Sequence, residues 1–221
     1  MSAAPLLFQA ELRAAGFQGA LTGRVPGFEG KMDRAVLLAR LTPIFERAAA
    51  HFSPGRHLIL ANQVHGSDVA VVDSLIAVPV PATDALVTTD PGACLGIMVA
   101  DCAPVWLSPR QGGALALVHS GKAGTLAGIV PAAIRVLQEV SGCEIRAVRA
   151  FIGPCIRPPH YEIDIPGLIR EQLEELGVGE ITDCGEDTAA DAGRYYSYRR
   201  EKGCTGRHVA LGVVLPAEGG H

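Results

Sequence analysis

Apolar residues fall in short runs bounded by turn formers along most of the chain. The segments His57 to Leu60, Asp68 to Val72, Leu95 to Val99, Ala114 to Val118, Val148 to Ile152 and His208 to Leu215 are of this kind, with β-branched residues inside them. That pattern predicts strands. Helical spacing of apolar positions appears at Met32 to Ala50, within Leu126 to Val140 and at Ile165 to Leu176, the last with Glu171, Glu174 and Glu175 on its polar side. Pro131 lacks an amide donor, so it belongs in the first turn of the middle helix or at a kink. Some strands follow one another directly and others are separated by helices. The pattern therefore predicts an α+β fold, a single domain over residues 1–221 with mixed β-sheets sandwiched between helix layers. The acidic, Gly- and Ala-rich stretch Asp183 to Gly193 reads as an exposed loop.

Composition narrows the class. Of 221 residues 48% are hydrophobic and 19% charged, enough for a large core and too apolar for disorder. A formal net charge of −4, from 19 basic and 23 acidic residues, argues against a nucleic-acid partner, which usually demands a basic excess. Asp101 interrupts the longest apolar stretch, Ala93 to Leu107, so no membrane span is expected. Glu11 and Arg13 fall where a secretory signal needs an unbroken apolar run, which points to the cytoplasm. Six cysteines without CxxC spacing then read as reduced thiols, most of them small core residues, rather than as disulfides or a zinc knuckle.

Three segments place possible metal ligands just past apolar runs: Asn62-Gln63-Val64-His65-Gly66, Ala100-Asp101-Cys102-Ala103-Pro104 and Val118-His119-Ser120-Gly121. Cys102 lies 37 residues after His65 and 17 before His119, so only tertiary packing could bring the three together. Two imidazoles and a thiolate suit Zn2+ and leave a fourth position for water, whose pKa such a site lowers toward ~7 for hydrolysis or deamination. The plainer alternative is two strand-end histidines held by hydrogen bonds and a packed, inert Cys102. Gln63 shares a face with His65 if the strand continues that far, and could orient substrate. Asp101 is either a general base or a turn-forming carboxylate. Cys102 could instead act as a nucleophile with His119 as its base. Ser120 to Thr125 forms a glycine turn before a helix, with Lys122 nearby, a candidate anion cradle without P-loop order. Tyr195 to Arg200 and Thr205 to Arg207 combine aromatic and basic residues, suited to stacking and anion pairing or to an amphipathic surface strand.

Taken in order, Gln63-Val64-His65-Gly66, Asp84-Ala85-Leu86-Val87-Thr88, Ala100 to Pro104, Val118 to Gly121, Ile152-Gly153-Pro154-Cys155-Ile156 with Tyr161-Glu162, and Ser197 to Arg200 through Thr205 to Arg207 resemble the laccase-domain family. That family is also called multicopper polyphenol oxidase-like, purine nucleoside phosphorylase-like or peptidoglycan editing factor, and the resemblance runs from about Gly19 to Leu215. It implies a compact α+β fold and a zinc site made by His65, Cys102 and His119. It also implies purine nucleoside and phosphate as ligands: phosphorolysis of adenosine, inosine, guanosine or methylthioadenosine, and deamination of adenosine. Cell-wall precursor editing, with Cys102 and His119 as a hydrolytic pair, is a further activity the family suggests. Copper phenol oxidation fits less well, because the chain has seven histidines and none in an HxH pair. The family commonly reads His-Ala-Gly-Trp-Arg-Gly-Thr where this chain has His119-Ser120-Gly121-Lys122-Ala123-Gly124-Thr125, so Lys122 stands in for the Arg as a point charge. Arg24, in Leu21-Thr22-Gly23-Arg24, and Arg199 complete the expected substrate contacts.

Overall fold

Helix formation is clearest at Asp33, whose carboxylate accepts the Ala35 and Val36 N–H groups and starts a 19-residue helix. Leu37, Leu41, Ile44, Phe45 and Ala48 then bury one side of it. The computed structural model describes residues 4–217. In chain order the elements are β1 (Leu6–Leu7), α1 (Gln9–Ala14), β2 (Gln18–Thr22), α2 (Arg34–Phe52), β3 (His57–Asn62), β4 (Val69–Val71), β5 (Val80–Pro81) and β6 (Ala85–Thr88). They continue with β7 (Ala93–Val99), β8 (Ala103–Pro109), β9 (Leu115–Ser120), α3 (Lys122–Leu126), α4 (Ile129–Ser141), β10 (Val148–Ile152), α5 (Ile165–Leu176), β11 (Glu180–Asp183) and β12 (His208–Val213).

The strands make two six-stranded sheets, ordered β1-β2-β12-β7-β3-β5 and β11-β10-β8-β9-β6-β4. Both are mixed: β3 runs parallel to β5 and β7, and β10 parallel to β11, while β12 with β7 and β8 with β9 are antiparallel. Side-chain alternation explains the layering. Leu95 and Ile97 of β7 meet Leu115 and Leu117 of β9 in the core between the sheets. Cys94 of β7 and Val209 and Leu211 of β12 turn instead toward α2, and Ala116 and Val118 of β9 toward α4 and α5. The order is helix, sheet, sheet, helix, as the pattern predicts. Trp106 fills the middle layer, and its Nε1–H donates to the Leu211 carbonyl of the facing sheet at 2.9 Å, so burial leaves no orphaned donor.

Three differences from the sequence pattern have physical causes. Strands β2, β6, β8 and β11 are too short, or too rich in Gly, Pro and Ser, to announce themselves, and exist because neighbours pair with them. The middle helical stretch forms as α4, with Pro131 in its first turn, but a separate short helix, α3, precedes it and is parted from it at Gly128, whose φ of 78° is left-handed. The acidic stretch after β11 is not simply exposed. Thr188 and Ala189 are buried, because the Thr188 hydroxyl donates to Asp101. Among the described residues no helix is long and apolar enough to cross a membrane.

Candidate metal centre

Strands β3, β7 and β9 deliver the three candidate ligands at one end of the sandwich. The chain leaves β7 after Val99, changes sheet through Asp101 and Cys102, and continues as β8. Strand β3 has already ended at Asn62, so His65 lies in a loop, at φ 62°. Asp101 is also left-handed, at φ 85°. Such backbone in a non-glycine residue costs on the order of 1–3 kcal/mol and persists only where the surroundings hold it.

Buried carboxylates hold both. Asp84, just before β6, accepts the backbone N–H groups of Val64 (3.2 Å), His65 (3.0 Å) and Gly66 (2.8 Å), and His119 Nδ1 at 2.8 Å. One anion thus shapes the His65 loop and orients the His119 ring. Asp101 accepts the Thr188 hydroxyl and the Arg199 N–H, each at 2.7 Å.

The ligand atoms of His65, Cys102 and His119 all lie within 4.8 Å of one another. The two imidazole rings are 4.9 Å apart and nearly perpendicular. Gly121 is required by this approach: a Cβ there would stand 2.8 Å from Cys102 Sγ. Burial opposes ionisation of Cys102, but His119 and His65 outweigh it and bring the thiol down to about 6. Burial likewise opposes protonation of His119, yet the charges and hydrogen bonds of Cys102 and Asp84 raise it to about 9. Asp84 stays below the usual carboxylate range, its burial offset by His119 and the loop amides.

The donor set suits zinc. Bonds of roughly 2.0–2.3 Å put tetrahedral ligand atoms about 3.4–3.7 Å apart, within a small contraction of the observed cluster. Asp84 on Nδ1 leaves the other nitrogen of His119 to ligate, the carboxylate–histidine pairing that metal sites use to fix the tautomer.

The cluster opens on a cavity of about 770 Å³ with apolar walls that include Leu37, Leu38, Met98, Leu126, Ile156 and Ile165. Gln63 lines it, but its side chain is committed: Nε2–H donates to the Met98 carbonyl at 2.7 Å and Oε1 accepts the Met98 N–H at 2.8 Å. The amide thus extends the β3–β7 pairing past the end of the strand. Asp101 lines the cavity with its carboxylate engaged as described. Lys122 and Arg199 stand at the wall, both paired to Glu162. Arg24 does not reach the cavity; it pairs with Glu201 and stacks on Tyr196. The glycine turn is the first turn of α3, where the Thr125 N–H closes on the Gly121 carbonyl at 2.8 Å. Tyr195 and Tyr196 are buried, whereas Tyr198 and Arg199 face the cavity, so the aromatic-basic segment is neither a strand nor wholly a binding surface.

Sequence reasoning gave Asp84 no role, although it opens the Asp84 to Thr88 motif; its physical signal is a lone acid against the apolar run Ala85-Leu86-Val87, a carboxylate that burial obliges to find partners. It also missed Arg34, which lines the cavity from the start of α2.

A family model described as multi-copper polyphenol oxidoreductase laccase matches residues 43–166 and 159–215. The chain belongs to this family. The laccase-family chain is 35% identical, over 68% of its length and 72% of the other's, to a protein named purine nucleoside phosphorylase from Streptomyces coelicolor. A Corynebacterium glutamicum protein of the same name is also 35% identical, over 73% of this chain and 75% of its own. Two solved structures share the fold. A Neisseria meningitidis protein aligns with TM-score 0.77 at 22% identity over 90% of this chain and 94% of its own. YlmD from Geobacillus stearothermophilus aligns with TM-score 0.72 at 24% identity over 90% and 92%.

Proposed function

We propose that this laccase-family chain is a zinc-dependent purine nucleoside enzyme, acting by phosphorolysis of adenosine, inosine, guanosine or methylthioadenosine, by deamination of adenosine, or by both. The observation that carries the reading is the convergence of His65, Cys102 and His119 on an apolar-walled cavity of about 770 Å³, in a relative of proteins named purine nucleoside phosphorylase. That volume lies in the range of small-molecule sites, roughly 300–1,000 Å³, and apolar walls suit the flat faces of a purine.

Bound by the two imidazoles and the thiolate, Zn2+ supplies Lewis-acid chemistry. The chain's own residues prepare the site. Cys102, held at about 6, offers its thiolate at neutral pH, and Asp84 fixes the ring of His119. Leu37, Met98 and Ile156 exclude water from the bound base. Asp101 would serve as a general base only after releasing Thr188 or the Arg199 N–H. Six free thiols, one of them a site ligand, fit a reducing cytoplasm.

Metal analysis of the purified protein should find about one zinc per chain, lost in Cys102→Ala together with more than ~100-fold of the activity. Adenosine should yield adenine and ribose 1-phosphate only with phosphate, and inosine with ammonia by deamination. Zinc-loaded protein that converts no nucleoside overturns the reading.

A second reading, a cysteine hydrolase that edits cell-wall precursors, is favoured by one observation: Asp84 is hydrogen-bonded to His119, and the ligand atoms of His119 and Cys102 lie within 4.8 Å, the order of a thiol triad. Activity that survives zinc removal and dies on thiol alkylation would select it. Copper phenol oxidation needs more metal sites than the one His/Cys cluster found among the described residues.

A further inference from the structure

Four cations line the cavity, Arg34, Lys122, Arg199 and Arg207, against one acid, Asp101, whose carboxylate is already engaged. In a chain of net charge −4 this positive charge is local, and it attracts anions to the cavity. Glu162 neutralises two of the four: Lys122 Nζ lies 3.7 Å from one carboxylate oxygen and Arg199 Nη2 3.0 Å from the other.

Arg34 and Arg207 have no carboxylate within salt-bridge distance among the described residues. Neutral groups hold them. Arg207 Nη1 donates to the carbonyls of Thr205 (3.1 Å) and Gly206 (2.8 Å), and its guanidinium lies 5.4 Å from the centre of the Tyr198 ring. Arg34 Nη2 donates to the Gln63 carbonyl at 3.2 Å and Asn62 Oδ1 at 3.4 Å. Nε and Nη2 of Arg207, the edge that grips an oxyanion through two parallel bonds, have no partner among the described residues. Arg207 is half-buried, and burial together with the charge of Arg34 lowers its pKa. A half-buried guanidinium beside a second cation and without a counter-charge is costly unless a ligand brings one.

We propose that Arg34 and Arg207 form the oxyanion subsite of the cavity and take inorganic phosphate. The proposal rests on the purine nucleoside reading and deepens it. Phosphate then sits on the open Nε/Nη2 fork of Arg207 with the Arg34 charge beside it, while Lys122 and Arg199, tied to Glu162, do not hold it. In the reaction a phosphate oxygen bonds to the sugar C1′ as the C1′–N9 bond breaks. The electron pair leaves with the purine, which takes a proton from solvent, so nothing is oxidised or reduced.

The test uses zinc-loaded protein with inosine and inorganic phosphate. Arg34→Gln, at an exposed position, and Arg207→Met should each raise the KM for phosphate roughly ten-fold or more, as loss of a charged hydrogen-bond partner does, and leave the KM for inosine within about two-fold. Arg207→Lys, which keeps the charge and loses the fork, should fall between. Phosphate binding is also measured directly, by titration calorimetry, on the same proteins and with a nucleoside 5′-monophosphate as a second ligand. Weakened binding of inorganic phosphate in both variants supports the subsite even if wild type performs no phosphorolysis, in which case only the functional reading falls. Phosphorolysis with unchanged phosphate KM in both variants overturns the subsite and leaves that reading standing. The subsite is equally overturned if Lys122→Gln alone carries the loss, or if only nucleoside monophosphate binding weakens.

Discussion

Two buried histidines stand at opposite extremes of the same chemistry. His119, at the metal centre, and His208, at the start of β12, are 2% and 0% exposed. Each directs Nδ1 at an oxygen, Asp84 at 2.8 Å and the Thr22 carbonyl at 2.6 Å. His208 Nε2 accepts the Tyr196 N–H at 2.9 Å, so the ring proton must be on Nδ1 and both nitrogens are satisfied in the neutral form. Burial then pushes its pKa to about 4. The same burial at His119 is overcome by the negative charge of Cys102 and Asp84, and its pKa rises to about 9. Burial sets the stakes, and the charge of the partners sets the sign. A histidine satisfied by neutral backbone is architecture, closing β12 onto the Tyr195-Tyr196 turn. One placed between two acidic groups is equipped for ligation.

The largest expected effect separates the two regions by metal. At zinc about 1,000-fold above its Kd, binding to the folded state should add about 4 kcal/mol, a Tm rise of roughly 8–16 °C for a chain of this size. Differential scanning fluorimetry should show the rise in wild type and in His208→Gln and lose it in Cys102→Ala. A shift retained by Cys102→Ala would erase the distinction.

Next in size is a pH effect confined to His208. Above pH 6.5 both folded and unfolded states carry it neutral. Below that the unfolded chain takes a proton that the folded protein refuses until about pH 4, so stability falls across this window by on the order of 3 kcal/mol and then levels. Urea unfolding between pH 7 and 4 should give a shallower decline in His208→Gln than in wild type. Equal slopes would mean that the imidazole is not held neutral.

The smallest expected effect sharpens the contrast at Asp84, a positioning residue. Asp84→Asn keeps the shape and removes the charge, which should weaken zinc binding by about 10–100-fold in a chelator competition. It should also shift the pH dependence of metal uptake, since His119 loses one of the two anions that raise its pKa. An unchanged uptake profile would make Asp84 a loop brace alone.

Much of the architecture can be read from local pattern. The near-continuous apolar runs of β7 and β9 reflect strands buried on both faces, and the spacing in α2 and α5 reflects a helix with one side on a core. The ends of those runs also point to His65, Cys102 and His119, because side chains emerge where strands stop. Asp84, Arg34 and the two-sided clamp on Asp101 were not legible, since each depends on partners distant along the chain: His119 is 35 residues from Asp84, and Thr188 is 87 from Asp101. Gln63 misleads for the same reason. Its spacing from His65 suggests a shared face, yet β3 stops at Asn62 and the amide turns to Met98.

Residue order alone settles which segments become strands and helices and which side chains can offer metal-binding atoms, because short-range periodicity and side-chain chemistry are properties of neighbours. Tertiary packing decides how those side chains behave. It alone places a carboxylate beside one buried imidazole and a carbonyl beside another, and the electrostatic field of distant partners gives two histidines of equal burial opposite protonation.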